Sequence, residues 1–316
     1  MNSEFKEKLV SRVEKTIQKY HMLNKSSIIP VAFSGGKDSA TTIFILKELG
    51  YNVVPLIIDK GDDPAFDSEK IVQSSNPFHI NPEIIHLNNK DYLNQIDPLF
   101  APKIKINLKK LKNLKEGEAQ CTPCYNARTW ALIERTIHYN ADAFVIGQHK
   151  HDLITSLMKC YWTEIYYLNI TKNTGKAYDG NLMKELINNE KIDLLHLEKM
   201  VDEERASTDD PPVEHIYNNI KLVRPLVDLN EKEIIGYIGD FPSQSSNCTY
   251  RETEPRPFRL LVQWDLDRRI NENPALEGIL FELALQGLNE DGTLKFRPRN
   301  KREELYPGFK PFIEKS

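Results

Sequence analysis

The feature of this sequence that most constrains its fold is a buried-strand pattern that ends at two glycines and continues directly into a helix. The segment reads Ile-Ile-Pro-Val-Ala-Phe-Ser-Gly-Gly-Lys-Asp-Ser over residues 28–39, and an amphipathic pattern follows over 38–49. Gly35 and Gly36 permit a tight turn and let a ligand approach the backbone. The helix would direct its N–H groups and positive dipole end at that turn. The pattern therefore predicts a phosphate-binding loop.

Two commoner phosphate loops do not fit this segment. A Walker A loop requires Gly-Lys-Ser/Thr, and here Asp38 stands where the magnesium-binding hydroxyl would be. The Gly-x-Gly-x-x-Gly fingerprint of dinucleotide-binding folds is missing. Instead, Ser-Gly-Gly-Lys-Asp-Ser at 34–39 resembles the PP-loop of the ATP pyrophosphatases, which split ATP into AMP and pyrophosphate. The alternative, a turn whose glycines serve only backbone geometry, is less favoured because six consecutive residues match in a strand–turn–helix context.

Composition limits the class of protein. With 316 residues, 40% hydrophobic and 28% charged, the chain can bury a full core. No stretch approaches the roughly 20 apolar residues of a membrane span, and the N-terminus reads as an amphipathic helix rather than a signal core. The sequence therefore predicts a cytoplasmic protein. Four cysteines in such a chain favour metal or redox chemistry over disulfides.

The net charge of −4 hides an uneven distribution of charge. Residues 161–220 hold about twelve acidic and about six basic side chains, which leaves the remainder near +2. Two basic clusters stand out, although lysines and arginines of this kind are most often a solvated face. They are Lys103, Lys105, Lys109, Lys110, Lys112 and Lys115, and Arg297, Arg299, Lys301 and Arg302.

Strand and helix patterns alternate along the chain. Strands are predicted at 28–33, 52–59, 83–87, 143–147 and 222–226, with helices at 38–49, 66–73, 126–139, 231–238, 257–270 and 275–286. This alternation predicts an α/β fold with a parallel sheet and helices on both faces. The predicted domains are an N-terminal helix (1–27), an ATP-binding core (28–162), an insertion with one or two helices (163–220), and the end of the core with a helical C-terminal region (221–316).

Ligands on such sheets bind outside the carboxyl ends of the strands. Candidate binding residues are therefore 34–39, Asp59, and the segment Gln-His-Lys-His-Asp at 148–152, which precedes a predicted helix at 153–162. In that segment, His149 and Asp152 could contact phosphate or position a metal ion. Asp152 is equally consistent with a helix N-cap.

Cysteines form the second motif. Cys121 and Cys124 are predicted to lie in a turn just before the helix at 126–139, where the helix dipole favours thiolates. Cys248 lies far downstream. Zinc, a redox dithiol and an iron–sulfur cluster with one open iron all remain open from the spacing. Cys160 falls on an apolar helix face and is left out of the site.

The order of these motifs, including Arg-Pro-Leu at 224–226, resembles the tRNA 2-thiocytidine synthetases (the TtcA family) over about residues 28–160 and 222–270. The resemblance implies that ATP adenylates a base carbonyl oxygen, commonly cytosine O2, and that sulfur then displaces AMP. It implies Lys37, Asp38 and His149 as catalytic residues and Cys121, Cys124 and Cys248 as [4Fe-4S] ligands. The implied nucleotide-binding residues, with Mg²⁺, are Ser34, Gly35, Gly36, Lys37, Asp38, Ser39, Asp59 and Asp152.

The same resemblance implies tRNA and a sulfur donor such as a cysteine desulfurase as partners, with a homodimer as one option and no membrane. Arg224 would bind an anionic substrate or make a structural hydrogen bond. Gln148 and His151 replace the family's first His and first Asp. Three alternatives remain: a PP-loop enzyme that thiolates or amidates a small molecule, a non-catalytic nucleotide-binding module with zinc-bound cysteines, and a phosphoadenylylsulfate-reductase-type enzyme, whose C-terminal Cys motif is missing.

Overall fold

The structure, a computed structural model, describes residues 3–59, 67–86, 121–166, 168, 180–217, 219–243 and 256–296. These residues form two compact units that alternate along the chain. The first unit takes the described residues of 1–150 and 212–253, and the second takes those of 151–211 and 254–315. The domain boundaries predicted at residues 27, 162 and 220 do not coincide with this division and stay predictions.

A six-stranded sheet runs through the described part of the first unit, in the order β3-β2-β1-β4-β6-β5. Its strands are β1 (Ile28–Ala32), β2 (Asn52–Asp59), β3 (Glu83–His86), β4 (Ala143–Val145), β5 (Val213–Tyr217) and β6 (Ile220–Val223). Neighbouring strands are parallel except β5 and β6, which are antiparallel. The carboxyl ends of five strands therefore lie at one edge of the sheet.

Helices cover both faces of this sheet. In the first unit they are α1 (Ser3–Lys19), α2 (Lys37–Glu48), α3 (Ser68–Ser75), α4 (Cys121–His138) and α8 (Glu231–Ile238). Successive strand residues point to opposite faces, and they fall into two core clusters: Leu56 and Ile57, Phe144 and Val145, Leu222 and Val223. One cluster also holds buried residues of α1, α2 and α8, and the other holds those of α4. The predicted α/β class is confirmed.

Several predicted boundaries are wrong. Helix α4 begins at Cys121, so the two cysteines form its first turn rather than a turn before it. Strand β6 ends at Val223 instead of residue 226, before a proline that cannot donate to a ladder. Strand β5 was missed because the acidic, proline-rich residues before it led to its assignment to the insertion. Helices α3 and α5 begin at Ser68 and Lys150 rather than at 66 and 153.

The second unit is helical among its described residues. Its helices are α5 (Lys150–Tyr166, whose first residue belongs to the first unit), α6 (Gly180–Asn189), α7 (Leu194–Asp202), α9 (Arg256–Glu272) and α10 (Ala275–Gln286). Helix α9 packs against α6 and α10, and α7 packs against α10. The predicted helical C-terminal region is thus present. Within the described ranges, none of the helices combines the length and the apolar character needed to cross a membrane.

Candidate functional site

The predicted phosphate loop connects the end of β1 to the start of α2. Gly35 has a φ of 77°, in the left-handed region that favours glycine. Gly36 precedes the helix in an extended conformation, with φ −82° and ψ 161°, and offers no side chain to cap it. The first turn of α2 therefore presents backbone N–H groups and the positive end of its dipole at this loop. Such an arrangement suits an anion.

Ser34 and Ser39 form hydrogen bonds within the loop. Ser39 is buried, and its hydroxyl donates to the carbonyl oxygen of Gly36 at 3.0 Å. The same hydroxyl accepts a hydrogen bond from the backbone N–H of Ser34 at 3.3 Å. The Ser34 hydroxyl lies 3.5 Å from it. These hydrogen bonds stabilise the conformation of the loop. The contact of the two serines with pyrophosphate stays a prediction.

Lys37, Asp38 and Glu231 form a cluster of three charges at the loop, the Lys37 cluster. The Lys37 Nζ lies 3.1 Å from Asp38 Oδ1 and 3.0 Å from Glu231 Oε1. Burial by itself lowers the pKa of Lys37, but the charges of Asp38 and Glu231 outweigh burial, and the pKa is raised above its usual value. Lys37 is therefore a fully protonated cation at neutral pH, held beside the helix start.

One carboxylate oxygen of Asp38 makes no hydrogen bond among the described residues. This oxygen, Oδ1, is buried, and the Lys37 charge is close. His149 Nε2 lies 3.9 Å from the same oxygen. This oxygen already contacts one cation, the Lys37 ammonium, and carboxylate oxygens are also ligands that Mg²⁺ accepts. The residues present thus fit a cation at this point.

Gly147 lies directly against the loop. A Cβ on this residue would come within 2.8 Å of Asp38 C and of Ser39 N, which are backbone atoms that cannot easily move. The end of β4 therefore approaches the first turn of α2 more closely than any side chain allows. This contact explains why a glycine precedes the Gln148–His149 segment.

Backbone contacts hold His149 at its position near Asp38. It is buried and forms an isolated parallel bridge with Leu226, and the N–H of the next residue, Lys150, donates to the carbonyl of Leu229 at 3.0 Å. His149 therefore lies at the same edge of the sheet as the loop, with its Nε2 3.9 Å from Asp38 Oδ1. Its catalytic role stays a prediction.

Asp59 lies at the carboxyl end of β2, as its position in the sequence predicted. It accepts a hydrogen bond from the Ser68 hydroxyl at 2.7 Å, and His86 Nδ1 lies 3.3 Å from its Oδ2. Asp59 therefore shares the strand-end edge of the sheet with the loop. Its contact with nucleotide stays a prediction.

Arg224 is structural in this geometry. The residue is 1% exposed, and its guanidinium donates from Nε to Gln148 Oε1 and from Nη2 to Glu214 Oε2, the latter at 3.2 Å. Of the two roles open from the sequence, the structural hydrogen bond fits, because a substrate cannot reach a buried and fully engaged guanidinium. Arg224 thereby fixes Gln148, the neighbour of His149.

Asp152 belongs to the second unit. There it accepts a hydrogen bond from Arg259 Nη2 at 2.7 Å, and Arg259 Nη1 also donates to Asp210 Oδ2 at 3.2 Å. We call these three residues the Arg259 cluster. Burial lowers the pKa of Arg259, but Asp210 and Asp152 outweigh burial and raise the pKa above its usual value. The predicted contact of Asp152 with nucleotide stays a prediction.

The cysteines are only partly described. The backbone of α4 places Cys121 and Cys124 three residues apart in its first turn, so both lie on one helix face. Their side chains, all of Cys248 and both basic clusters lie outside the described residues. Cys160 is buried, with its Sγ donating to the Ser207 carbonyl at 3.3 Å, in agreement with its predicted place on or beside the apolar face of its helix.

Sequence reasoning missed Gly147, Glu231 and Ser243 as site residues. Gly147 is the last residue of the strand predicted at 143–147, and a glycine in a strand pattern often marks a close backbone approach. Ser243 Oγ accepts from the backbone N–H of Lys37 at 3.1 Å across 206 residues. No local pattern identifies Glu231 or Ser243, because their contacts depend on tertiary structure.

The α/β fold and the loop at 34–39 resemble those of the PP-loop proteins. One solved structure of similar fold is the U34-tRNA thiolase NcsA from Methanococcus maripaludis with its [4Fe-4S] cluster. The alignment covers 96% of this chain and 88% of that chain, with a TM-score of 0.56 and 17% identity. At that identity the likeness shows the shared fold.

Curated relatives narrow the resemblance. A tRNA-5-methyluridine(54) 2-sulfurtransferase from Pyrococcus horikoshii is 51% identical over 57 residues, 18% of each chain. The protein of the same name from Thermotoga maritima is 27% identical over 164 residues, 51% of this chain and 50% of that one. A tRNA-cytidine(32) 2-sulfurtransferase from Geotalea uraniireducens is 24% identical over 157 residues, 48% of this chain and 55% of that one.

No family model matches the chain, and the chain spans about half or less of the length of these relatives. The resemblance to PP-loop proteins, and within them to tRNA 2-sulfurtransferases, is nevertheless confirmed by relatives of that name. Activity and substrate remain to be argued for this chain itself.

Proposed function

We propose that the chain is an ATP-dependent sulfurtransferase that replaces the C2 carbonyl oxygen of a pyrimidine in tRNA with sulfur. The observation that carries this proposal is the loop at 34–39, where the Lys37 ammonium and the Asp38 carboxylate lie at the start of α2. Relatives named tRNA 2-sulfurtransferases support tRNA as the substrate. Cytosine is the base that the resemblance to the TtcA family implies, and 5-methyluridine is the base in the names of the relatives from Pyrococcus horikoshii and Thermotoga maritima.

The reaction would take two steps. The base carbonyl oxygen attacks the α-phosphorus of ATP, and the bond from that phosphorus to the pyrophosphate oxygen breaks. Lys37, and a Mg²⁺ ion at Asp38, would neutralise the charge of the departing pyrophosphate. Sulfur then attacks C2, and AMP leaves with the original oxygen. His149, near Asp38 Oδ1, would hold the orientation of that carboxylate.

Cys121, Cys124 and Cys248 would hold an iron–sulfur cluster. The helical spacing of Cys121 and Cys124 fits two ligands of one cluster, and Cys248 is the third proposed ligand. When bound, a [4Fe-4S] cluster with three protein ligands supplies an open iron that carries sulfur. A donor such as a cysteine desulfurase would deliver that sulfur. The cytoplasmic location and the homodimer predicted from the sequence belong to this same proposal.

Anaerobic purification followed by three measurements tests the proposal. We expect about four iron atoms per chain, pyrophosphate release that rises with bulk tRNA, and a 2-thiopyrimidine in the nucleosides of that tRNA by mass spectrometry. Cys121→Ser should lose the iron, while Cys160→Ser, a matched control at a buried thiol, should retain it. Pyrophosphate release that is indifferent to tRNA would instead favour a small-molecule acceptor.

A further inference from the structure

Two groups of the loop that a phosphate would use are occupied by oxygens of the chain itself. The first is the Lys37 ammonium, which lies 3.0 Å from Glu231 Oε1 in addition to its contact with Asp38. The second is the backbone N–H of Lys37, which donates to Ser243 Oγ at 3.1 Å. Glu231 is the first residue of α8, and Ser243 lies a few residues after the end of that helix. Neither belongs to the loop.

The Glu231 carboxylate is held at its position by the start of α8. Asn230 and Glu233 form a capping box in which each side chain accepts from the other residue's backbone N–H, at 2.9 Å in both cases. Arg12 of α1 adds ion pairs with Glu233 and, at 3.2 Å, with Asp228. Since its neighbours on both sides are anchored, Glu231 faces Lys37 from a fixed backbone.

The bonds that hold Lys37 are of a kind that a ligand can replace. Glu231 is 48% exposed, and an ion pair with an exposed partner contributes only about 0–1 kcal/mol. A pyrophosphate group brings several negative oxygens to the same ammonium, and phosphate oxygens also accept from the N–H groups at a helix start. Carboxylate and hydroxyl therefore stand where phosphate oxygens would bind.

We propose that Glu231 and Ser243 compete internally with the nucleotide, holding the Lys37 ammonium and amide until pyrophosphate oxygens displace them. This inference rests on the proposed use of the loop for ATP. It makes Glu231 and Ser243 residues that set nucleotide affinity without taking part in the chemistry. Part of the binding free energy of ATP is spent in breaking their contacts.

The test measures the affinity of inorganic pyrophosphate by calorimetry, in the presence of a chelator so that no Mg²⁺ contributes. We expect Glu231→Gln to bind pyrophosphate about two- to fivefold more tightly than wild type, because Lys37 loses one competing anion. Ser243→Ala should give a gain of about twofold, since one neutral hydrogen bond is removed. The gain from Glu231→Gln should shrink at high salt, as expected for an exposed ion pair.

Asp240→Asn is the matched control, because Asp240 is an exposed carboxylate just beyond the same helix and its loss changes the net charge equally. It should leave the affinity unchanged. Unchanged or weaker pyrophosphate binding by Glu231→Gln overturns the inference. If Glu231→Gln instead weakens only the binding of Mg-ATP, Glu231 is a metal ligand and the inference is overturned as well. Wild-type protein that binds neither ATP nor pyrophosphate would instead contradict the proposed function.

Discussion

The Lys37 cluster and the Arg259 cluster each consist of one cation between two carboxylates, and they differ in the kind of cation and in the exposure of the carboxylates. In the first, the carboxylates of Asp38 and Glu231 are 31% and 48% exposed, and one Asp38 oxygen lacks a hydrogen bond among the described residues. In the second, Asp152 and Asp210 are 19% and 15% exposed, and both accept directly from the guanidinium.

This difference means that the Lys37 cluster can exchange its ion-pair partners for a ligand, whereas the Arg259 cluster cannot. A lysine is a point charge on a flexible stem, so an incoming anion can take it from a carboxylate. An arginine fork that bonds two shielded carboxylates is specified by geometry, and its removal leaves charges without compensation. The first cluster is therefore suited to ligand binding, and the second to holding α5, α9 and the residues around Asp210 together within the second unit.

The largest expected effect is on catalysis by the first cluster. Lys37→Met should lower the rate of ATP-dependent pyrophosphate release by about 10²- to 10³-fold, because the charge that develops on the leaving group loses its cation. Thermal unfolding should change little, since Asp38 and Glu231, the ion-pair partners of Lys37, are 31% and 48% exposed. A variant that unfolds instead, with normal specific activity in its folded fraction, would place Lys37 among structural residues.

The second cluster should respond in the opposite way. Arg259→Met should reduce the free energy of unfolding by about 2–3 kcal/mol, because two shielded carboxylates lose charge-assisted hydrogen bonds. Arg259→Lys should recover only part of this stability, since a single ammonium cannot bond both partners in the same geometry. Urea unfolding measures both values. A change below about 0.5 kcal/mol in Arg259→Met would mean that the cluster is not structural.

Gly147 tests the close approach on which the first cluster depends. Gly147→Ala should cost about 1–3 kcal/mol of unfolding free energy, because its Cβ would lie 2.8 Å from the backbone of α2 and force the two elements apart. The same displacement should weaken pyrophosphate binding. Gly278→Ala is the control, since a Cβ there meets no atom within 4 Å. Equal stability of the two variants would show that β4 does not constrain the loop.

Much of the fold and of the loop was predictable from the sequence because the signals are local. A buried strand, two glycines and an amphipathic helix define the loop within about twenty residues, and strand–helix alternation indicates a parallel sheet. The partners of the cations were not predictable. Lys37 meets Glu231 and Arg259 meets Asp152 across long stretches of sequence, so only the tertiary structure pairs them.

The errors have related causes. Cys121 and Cys124 were predicted to precede a helix because the residues between and after them are weak helix formers, yet α4 begins with Cys121. Proline at position 123 is compatible with this start, because the N–H groups of a first helical turn have no intrahelical partner. Strand β5 was hidden because its acidic neighbours dominate the composition of the segment, whereas its pairing with β6 depends on tertiary contacts.

The smallest expected effect is a pH dependence that separates the two cations. The folded-state pKa of Lys37 is raised, so its ion pairs contribute their full stability below the unfolded lysine pKa of about 10.4 and lose it as the pH rises through the folded value. The difference in unfolding free energy between wild type and Lys37→Met should therefore stay constant up to about pH 10 and decrease as the pH rises above about 10.4, by less than about 1 kcal/mol. The corresponding difference for Arg259→Met should stay constant over that range, because the already high pKa of Arg259 is raised further. Tyrosine ionisation is common to all three proteins and cancels in these differences. A Lys37 difference that stays constant as well would mean that Asp38 and Glu231 do not hold the ammonium in solution, and the internal competition for the phosphate site would lose its basis.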